Sequence, residues 1–396
     1  MKTVANHDEL PLDGLKVLDF SQFLAGPACA LRLGDMGAEV IKIERPQGGD
    51  ACRGLAVADQ WLGDDSLLFH AINRGKLSVA ADLKNSGDLE TVKYLIAGAD
   101  VMIHNFRPGV MERIGLGYED VRALNPKMIY GVVSGYGTEG PWRDKPGQDL
   151  LAQSRSGMVW LSGNQIDDPI PMGISVTDIA AGMHLAQGIL AGLLKCFRTG
   201  KGSLVEVSLL ASAMDLQFEQ FTSYLNDDHK QPSRSVVNGA NVNATAPYGL
   251  YETADGYLAI AMSPISQLQE LLSLDRLARF ADPGVAYSKR DEIKAVLRDH
   301  LKGAPTGHWL SLLEPAGIWC AEVLDWPALE KSGALQALEV VQRVTDVAGR
   351  SFETTACPIR FDGKVLRGET AAPVLGADTQ TVMEDGRQKE NAGAAG

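Results

Sequence analysis

One carboxylate stands apart by its surroundings. Asp178 follows a run of small and apolar residues, Met172 to Thr177. It precedes a stretch to Leu194 in which Ile179, Met183, Ala186, Leu190 and Leu193 recur at helical spacing. The spacing predicts a helix whose apolar stripe faces a core, with Asp178 at its N-terminus or one residue before it. Unpaired N–H groups and the helix dipole favour an ionised carboxylate there. Two uses fit the position: an N-cap that only closes the helix, and an ionised carboxylate kept for chemistry. Within this window the cap is the simpler use. A second group of residues suits phosphate. Arg45 ends one predicted strand, Asn105–Phe106–Arg107 end another, and Arg113 lies six residues beyond Arg107. Guanidinium groups bind phosphate bidentately. Strand ends of a parallel sheet meet at one rim, so these residues can converge, although each alone reads as an ordinary surface side chain.

The elements that must hold these groups alternate. LKVLDF (15–20) reads as a buried strand, and SQFLAGP turns into the helix ACALRLGDMG. AEVIKIERP is the next strand, which completes a strand–helix–strand unit of a parallel sheet. Strands are expected again at 76–84, 100–106 and 127–137, with helical pieces between them. The pattern predicts a doubly wound α/β domain that binds ligands at the carboxyl ends of its strands. Residues 138–170 are turn-rich around a helical DLLAQSRSGM. RTGKGSLVEVSLL reads as loop and strand, and ASAMDLQFEQFTSYLN as one long amphipathic helix. The polar stretch 226–246 reads as a linker. A hairpin around ADG starts a second pattern at Pro247, followed by helices at 265–281, 289–302 and 305–316 and a strand at 317–323. Short strands follow residue 335, and the tail beyond Met383 reads as frayed.

Composition narrows the class. The 396 residues are 45% hydrophobic and 22% charged, which suits a globular chain of two or three domains. With 50 acidic and 37 basic residues the net charge is −13, which argues against a nucleic-acid partner. Five scattered cysteines without a CxxC pair suit a reducing compartment. The first residues lack an apolar signal core, and the longest apolar run, 185–197, is interrupted by Gln187 and Lys195. A cytoplasmic protein without a membrane partner is expected. The seven histidines lack metal-ligand spacing, and neither a GxSxG elbow nor a Walker loop occurs. Glu44 follows Gly26 by 18 residues, as a ribose-binding acid follows a dinucleotide loop, but GxGxxG is missing.

Longer blocks carry a family resemblance. LDGLKVLDFSQFLAGPACALRLGDMGAEVIKIERPQGGDACRG, NRGKLSVAADLK, ADVMIHNFRPGVMERIGLGYE, LNPKMIYGVVSGYGTEGP, TDIAAGMHLAQGILAGLL and YETADGYLAIA occur in the order and spacing of the class III CoA-transferases, the CaiB/BaiF family. The chain resembles that family over most of its length. The resemblance implies a Rossmann-like large domain (1–200 and 331–396), a linker helix (201–224), a small α+β domain (225–330) and an interlocked homodimer. It implies that Asp178 is the nucleophile, forming first a mixed anhydride and then an aspartyl-CoA thioester. CoA and acyl-CoA are then substrates, with no tightly bound cofactor and no metal. The CoA contacts implied are Leu24, Ala25, Arg45, Ala81, Asp82, Leu83, Lys84, Asn105, Phe106, Arg107, Arg113 and, more loosely aligned, Lys145. The family's 2-methylacyl-CoA racemases carry a His–Asp pair where this chain has Gln148–Asp149. Glutamine cannot act as the second base that a racemase needs, so CoA transfer is preferred. Leu24 replaces a glutamine of the formyl-CoA/oxalate enzymes, and their glycine run is absent from 226–250. Asn238–Gly239 and Asn241–Asn243 can form the corresponding lid or a plain linker. Arg155 can bind the distal carboxylate of a dicarboxylic acyl group or simply face solvent. Outside the family, a nicotinamide oxidoreductase and a non-catalytic CoA-binding protein are the alternatives.

Overall fold

The computed structural model describes residues 10–383; the predicted frayed tail and the residues before Leu10 lie outside them. The chain divides into two compact units. The larger takes residues up to Ala152, Ser175–Ser212 and the chain from Ala334, and the smaller takes Gln153–Ile174 and Ala213–Gly333.

The larger unit is built on six parallel strands: β1 (Lys16–Asp19), β2 (Glu39–Glu44), β3 (Leu77–Ala80), β4 (Val101–His104), β5 (Ile129–Ser134) and β6 (Ser203–Ser208). Their order is β3-β2-β1-β4-β5-β6, so the winding reverses between β1 and β4. Strands buried on both faces read as continuous apolar runs, and successive residues serve opposite sides. Val17, Val40, Val101, Ile103, Ile129 and Val133 pack beneath helices α1 (Ala25–Asp35) and α4 (Val176–Thr199). Leu18, Ile41, Val79, Met102 and Tyr130 pack on the other side, where α2 (Ser86–Ala97) contributes Val92 and Ile96. The sheet thus lies between two helical layers.

Two glycines set the approach of elements near Asp178. A Cβ on Gly182 would lie 2.7 Å from the Ala25 carbonyl oxygen, so α4 rests on α1 only because that position is bare. A Cβ on Gly135, just past β5, would lie 2.5 Å from the Gly147 Cα. That backbone-on-backbone contact delivers the chain into α3 (Asp149–Arg155).

The smaller unit carries an antiparallel sheet, β9 (Cys320–Glu322) beside β8 (Tyr257–Ile260) beside β7 (Gly249–Glu252). Tyr251, Leu258 and Ile260 point into a core shared with α5 (Ile265–Leu271), α6 (Arg290–Leu301) and α7 (Thr306–Leu313).

Several expectations change. Residues 201–224 do not form one linker helix. Ser203–Ser208 is the sheet's last strand, paired with β5 over six positions, and the helix predicted after it breaks at Gln217 into Leu209–Leu216 and Phe218–Asn226. Residues 153–174 join the smaller unit. The stripe predicted on α4 is rotated. Ala186 and Leu193 are buried as expected, but Ala181, Leu185 and Ile189 fill the rest of the buried face, whereas Ile179 and Met183 are 41% and 49% exposed. At its first turns the small Ala181 and Gly182 let α4 approach α1 closely, so the bulkier Ile179 and Met183 turn outward there. Gln187 and Lys195 also do not keep α4 below the length and composition of a membrane span. Its buried face against α1 and the sheet is that of a core helix.

Candidate active site

Helix α4 begins at Val176, so Asp178 is its third residue and not its cap. Ser175 holds the cap position, and its side chain makes no capping bond. The cap comes from another helix. Asp149, buried at the start of α3, accepts hydrogen bonds at Oδ1 from the Thr177 N–H and from Thr177 Oγ1, both at 2.8 Å. The Asp178 N–H donates to the same oxygen at 3.4 Å. With the helix end satisfied in this way, the Asp178 carboxylate takes no hydrogen bond or ion pair from the described residues. Burial, reinforced by the negative charge of Asp149, pushes its pKa up to about 7. A weakly solvated carboxylate without a protein partner is a competent nucleophile once ionised.

This geometry separates the two jobs of Asp149. In Asp149→Asn the amide oxygen can still accept from Thr177, so the cap persists while the charge is lost. Without a negative neighbour Asp178 ionises more easily. The acid limb of the activity profile is expected to move down from near pH 7 by about one pH unit, the rest of the elevation being due to burial. A pH–rate profile of kcat/KM measures it, and an unmoved limb would show that Asp149 does not act on Asp178 through its charge.

The phosphate candidates leave the carboxyl ends of the strands, as expected at a switch point. Between β1 and β4 the turn 21–23 is tied across the reversal. The Gln22 N–H donates to Asn105 Oδ1 at 2.9 Å, and Asn105 Nδ2 donates to the Gln22 carbonyl at 2.6 Å. Phe106 is half-buried and stacks on His104 with ring centroids 6.1 Å apart. Arg107 and Arg113 are exposed, Arg113 at the end of the short helix Val110–Arg113. Arg45, also exposed, follows β2 and donates from Nε to the Gly49 carbonyl at 2.8 Å. Ala81 is buried beyond β3, and Asp82–Leu83–Lys84 turn away with Lys84 exposed. Leu24 packs towards Cys52 and Phe69, and Ala25 is buried at the start of α1. Lys145 is exposed in the segment between β5 and α3. Arg45, Ala81 and Asn105 follow the carboxyl ends of adjacent parallel strands, and among the described residues of this set direct bonds join only Asn105 to the β1 turn. In the smaller unit Arg155 ends α3 half-buried. The 238–243 loop there is anchored: Lys294 Nζ donates to the Asn238 carbonyl at 3.2 Å, and Arg290 Nη1 to the Val242 carbonyl at 2.6 Å.

Glu44 does not serve a ribose. Both its oxygens receive Arg53, at 2.8 and 2.7 Å, and Ser78 Oγ donates to it at 2.7 Å. Beneath the rim lies a buried charge cluster that the sequence reading passed over. Lys76 donates to Asp19 at 2.8 Å, and Lys42 pairs with Asp50 at 2.8 Å and with Asp19 at 3.8 Å. The available signal was a charge inside an apolar strand, Lys42 in VIKIE. Asp149 as the cap left a fainter trace, because 28 residues separate it from Thr177.

Comparison with known proteins shows the family. The model of CoA-transferase family III matches residues 12–379. The chain is 34% identical to succinyl-CoA:glutarate CoA-transferase of Mus musculus, over 95% of this chain and 86% of that protein. It is 33% identical to acetyl-CoA:oxalate CoA-transferase of Acetobacter aceti, over 80% and 81%. Among solved structures, a mutant of Rv3272 from Mycobacterium tuberculosis matches with a TM-score of 0.82 at 30% identity, covering 94% of this chain and 98% of that one. A CAIB/BAIF family protein from Brucella suis matches with a TM-score of 0.79 at 28% identity, covering 95% and 99%. A match of this extent in sequence, joined to a six-stranded parallel sheet of the same fold, places the chain in CoA-transferase family III.

Proposed function

We propose that this protein transfers CoA from an acyl-CoA donor to a carboxylic acid through covalent intermediates on Asp178. The observation that carries this reading is the Asp178 carboxylate itself: third in its helix, relieved of capping by Asp149, and poised near neutrality. Ionised Asp178 attacks the thioester carbonyl. The C–S bond breaks, CoA leaves as thiolate, and an acyl-aspartyl anhydride remains. The thiolate then attacks the aspartyl carbonyl of the anhydride, releasing the first carboxylate and leaving an aspartyl-CoA thioester. A second carboxylate takes the CoA by the reverse steps and restores Asp178. Backbone N–H donors suit the tetrahedral oxyanions. The exposed Arg45, Arg107 and Arg113, with Lys84 and Lys145, suit the CoA phosphates, and Leu24, Ala25, Ala81, Asp82, Leu83, Asn105 and Phe106 suit the rest of the molecule.

Small dicarboxylates are the first substrates to try, because relatives are named for succinyl-CoA with glutarate or mesaconate. Gln148 is exposed and offers no base for racemisation. The outward Ile179, Met183, Leu194 and Phe197 of α4 suit burial against a second copy in a homodimer. Incubation with succinyl-CoA and labelled succinate or glutarate is the test. Label is expected in the acyl-CoA pool with no deuterium uptake at the α-carbon in heavy water. Hydroxylamine is expected to trap an adduct on the peptide that contains Asp178. Deuterium uptake without label exchange would favour the racemase.

A further inference from the structure

We infer that Phe23 is a substrate-contacting residue whose ring covers the pantetheine arm of acyl-CoA; this rests on the CoA-transfer reading above. The backbone of Phe23 has φ +64°, a left-handed conformation that glycine or asparagine adopts readily and a bulky side chain does not. The surrounding structure holds it there. The Phe23 N–H donates to Asp50 Oδ1 at 3.2 Å, and Asp50 is itself buried against Lys42. The preceding residue is clamped through both its N–H and its carbonyl by the Asn105 side chain. Before that, the Ser21 carbonyl accepts from Lys42 at 2.8 Å. So three consecutive residues are fixed from β2, from the residue after β4 and from the loop after β2, at the point where the winding reverses.

The ring belongs to none of the buried apolar clusters described in the larger unit and is 52% exposed. Strain that a structure over-determines without a core to fill is expected at ligand sites. The ring stands at the carboxyl end of β1, on the edge that carries Arg45, Asn105 and Arg107. An apolar ring there has no use for phosphates and suits the uncharged, flexible arm between them and the thioester.

The test compares CoA with adenosine 3′,5′-bisphosphate, which keeps the adenosine, the 3′-phosphate and the inner 5′-phosphate and lacks the pantetheine arm. Phe23→Gly removes the ring and relieves the strain. It is expected to be at least as heat-stable as the parent, to bind the bisphosphate equally well, and to bind CoA about tenfold more weakly by calorimetry. Phe23→Ala, which keeps a side chain at the strained position, is expected to show the same selective loss. If the parent binds CoA and both variants match it, the role of Phe23 is overturned while the CoA reading stands. Equal loss for CoA and the bisphosphate also overturns it. A parent that binds neither ligand overturns the CoA reading itself.

Discussion

Asp178→Asn is expected to lose CoA transfer by about a thousandfold or more, since an amide cannot form the anhydride, and to gain thermal stability. The two effects share one cause. A free aspartate titrates near 3.9, whereas folding raises Asp178 to about 7. Below about pH 4 the carboxyl is protonated in both states and is neutral towards stability. As pH rises from about 4 to 7, the unfolded chain releases the proton that the folded chain keeps, so stability falls; above 7 the full penalty applies. Asparagine cannot ionise and escapes the penalty. The variant is therefore expected to unfold at a higher temperature at pH 8, by about 1–2 kcal/mol of stability, the partial exposure of the group reducing the effect. The advantage shrinks as pH approaches 4. Melting curves of both proteins at pH 5 and 8 measure it. A pH-independent difference would contradict the raised pKa, and retained hydroxylamine trapping would remove Asp178 as nucleophile.

Strands β1, β2 and β4 were legible because both faces of each are buried. LKVLDF, VIKIE and DVMIH are apolar enough to read in any context, and their carboxyl ends located the edge where Arg45 and Asn105 stand. Asp178 was legible as a residue, with the nucleophile role implied by the family resemblance but not by its own window. From its own window a cap is the simpler reading, and only the Thr177 hydrogen bonds to Asp149 show that the capping is done from elsewhere. Such a contact joins residues far apart in the chain and follows no local periodicity. The rotated face of α4 was misread for a related reason. Periodicity finds an apolar stripe, but close helix contact selects the small residues Ala181 and Gly182 over the larger Ile179 and Met183. The strained turn at Phe23 had no signal at all, since phenylalanine is not a residue that announces φ above zero.

The buried cluster under that turn carries the other large effect. Lys42 is fully buried in β2 and lies 2.8 Å from Asp50 and 3.8 Å from Asp19. Burial alone would push its ammonium towards neutrality, but Asp19 and Asp50 outweigh burial and hold it charged. The converse holds at Asp19. Burial would raise its carboxyl, yet Lys42 and Lys76 bring it down to about 2. Replacing one member of such a set leaves a buried charge without its counter-ion, which costs about 3–5 kcal/mol. Lys42→Met keeps the length and apolar stem, so the loss is electrostatic and not a cavity. The variant is expected to denature at a markedly lower urea concentration, by an amount in that range. Its acid unfolding should also begin at higher pH. A depressed carboxylate contributes stability above about 3.9 that is lost as pH falls towards its folded value, and without Lys42 the Asp19 depression shrinks. Asp50→Asn in the Lys42→Met background removes the stranded charge and should recover part of the loss, because neutralising both partners costs less than removing one. A single variant within about 1 kcal/mol of the parent, or a double variant worse than the sum of its parts, would mean that hydrogen bonding to the turn at Ser21, and not charge balance, is what Lys42 supplies.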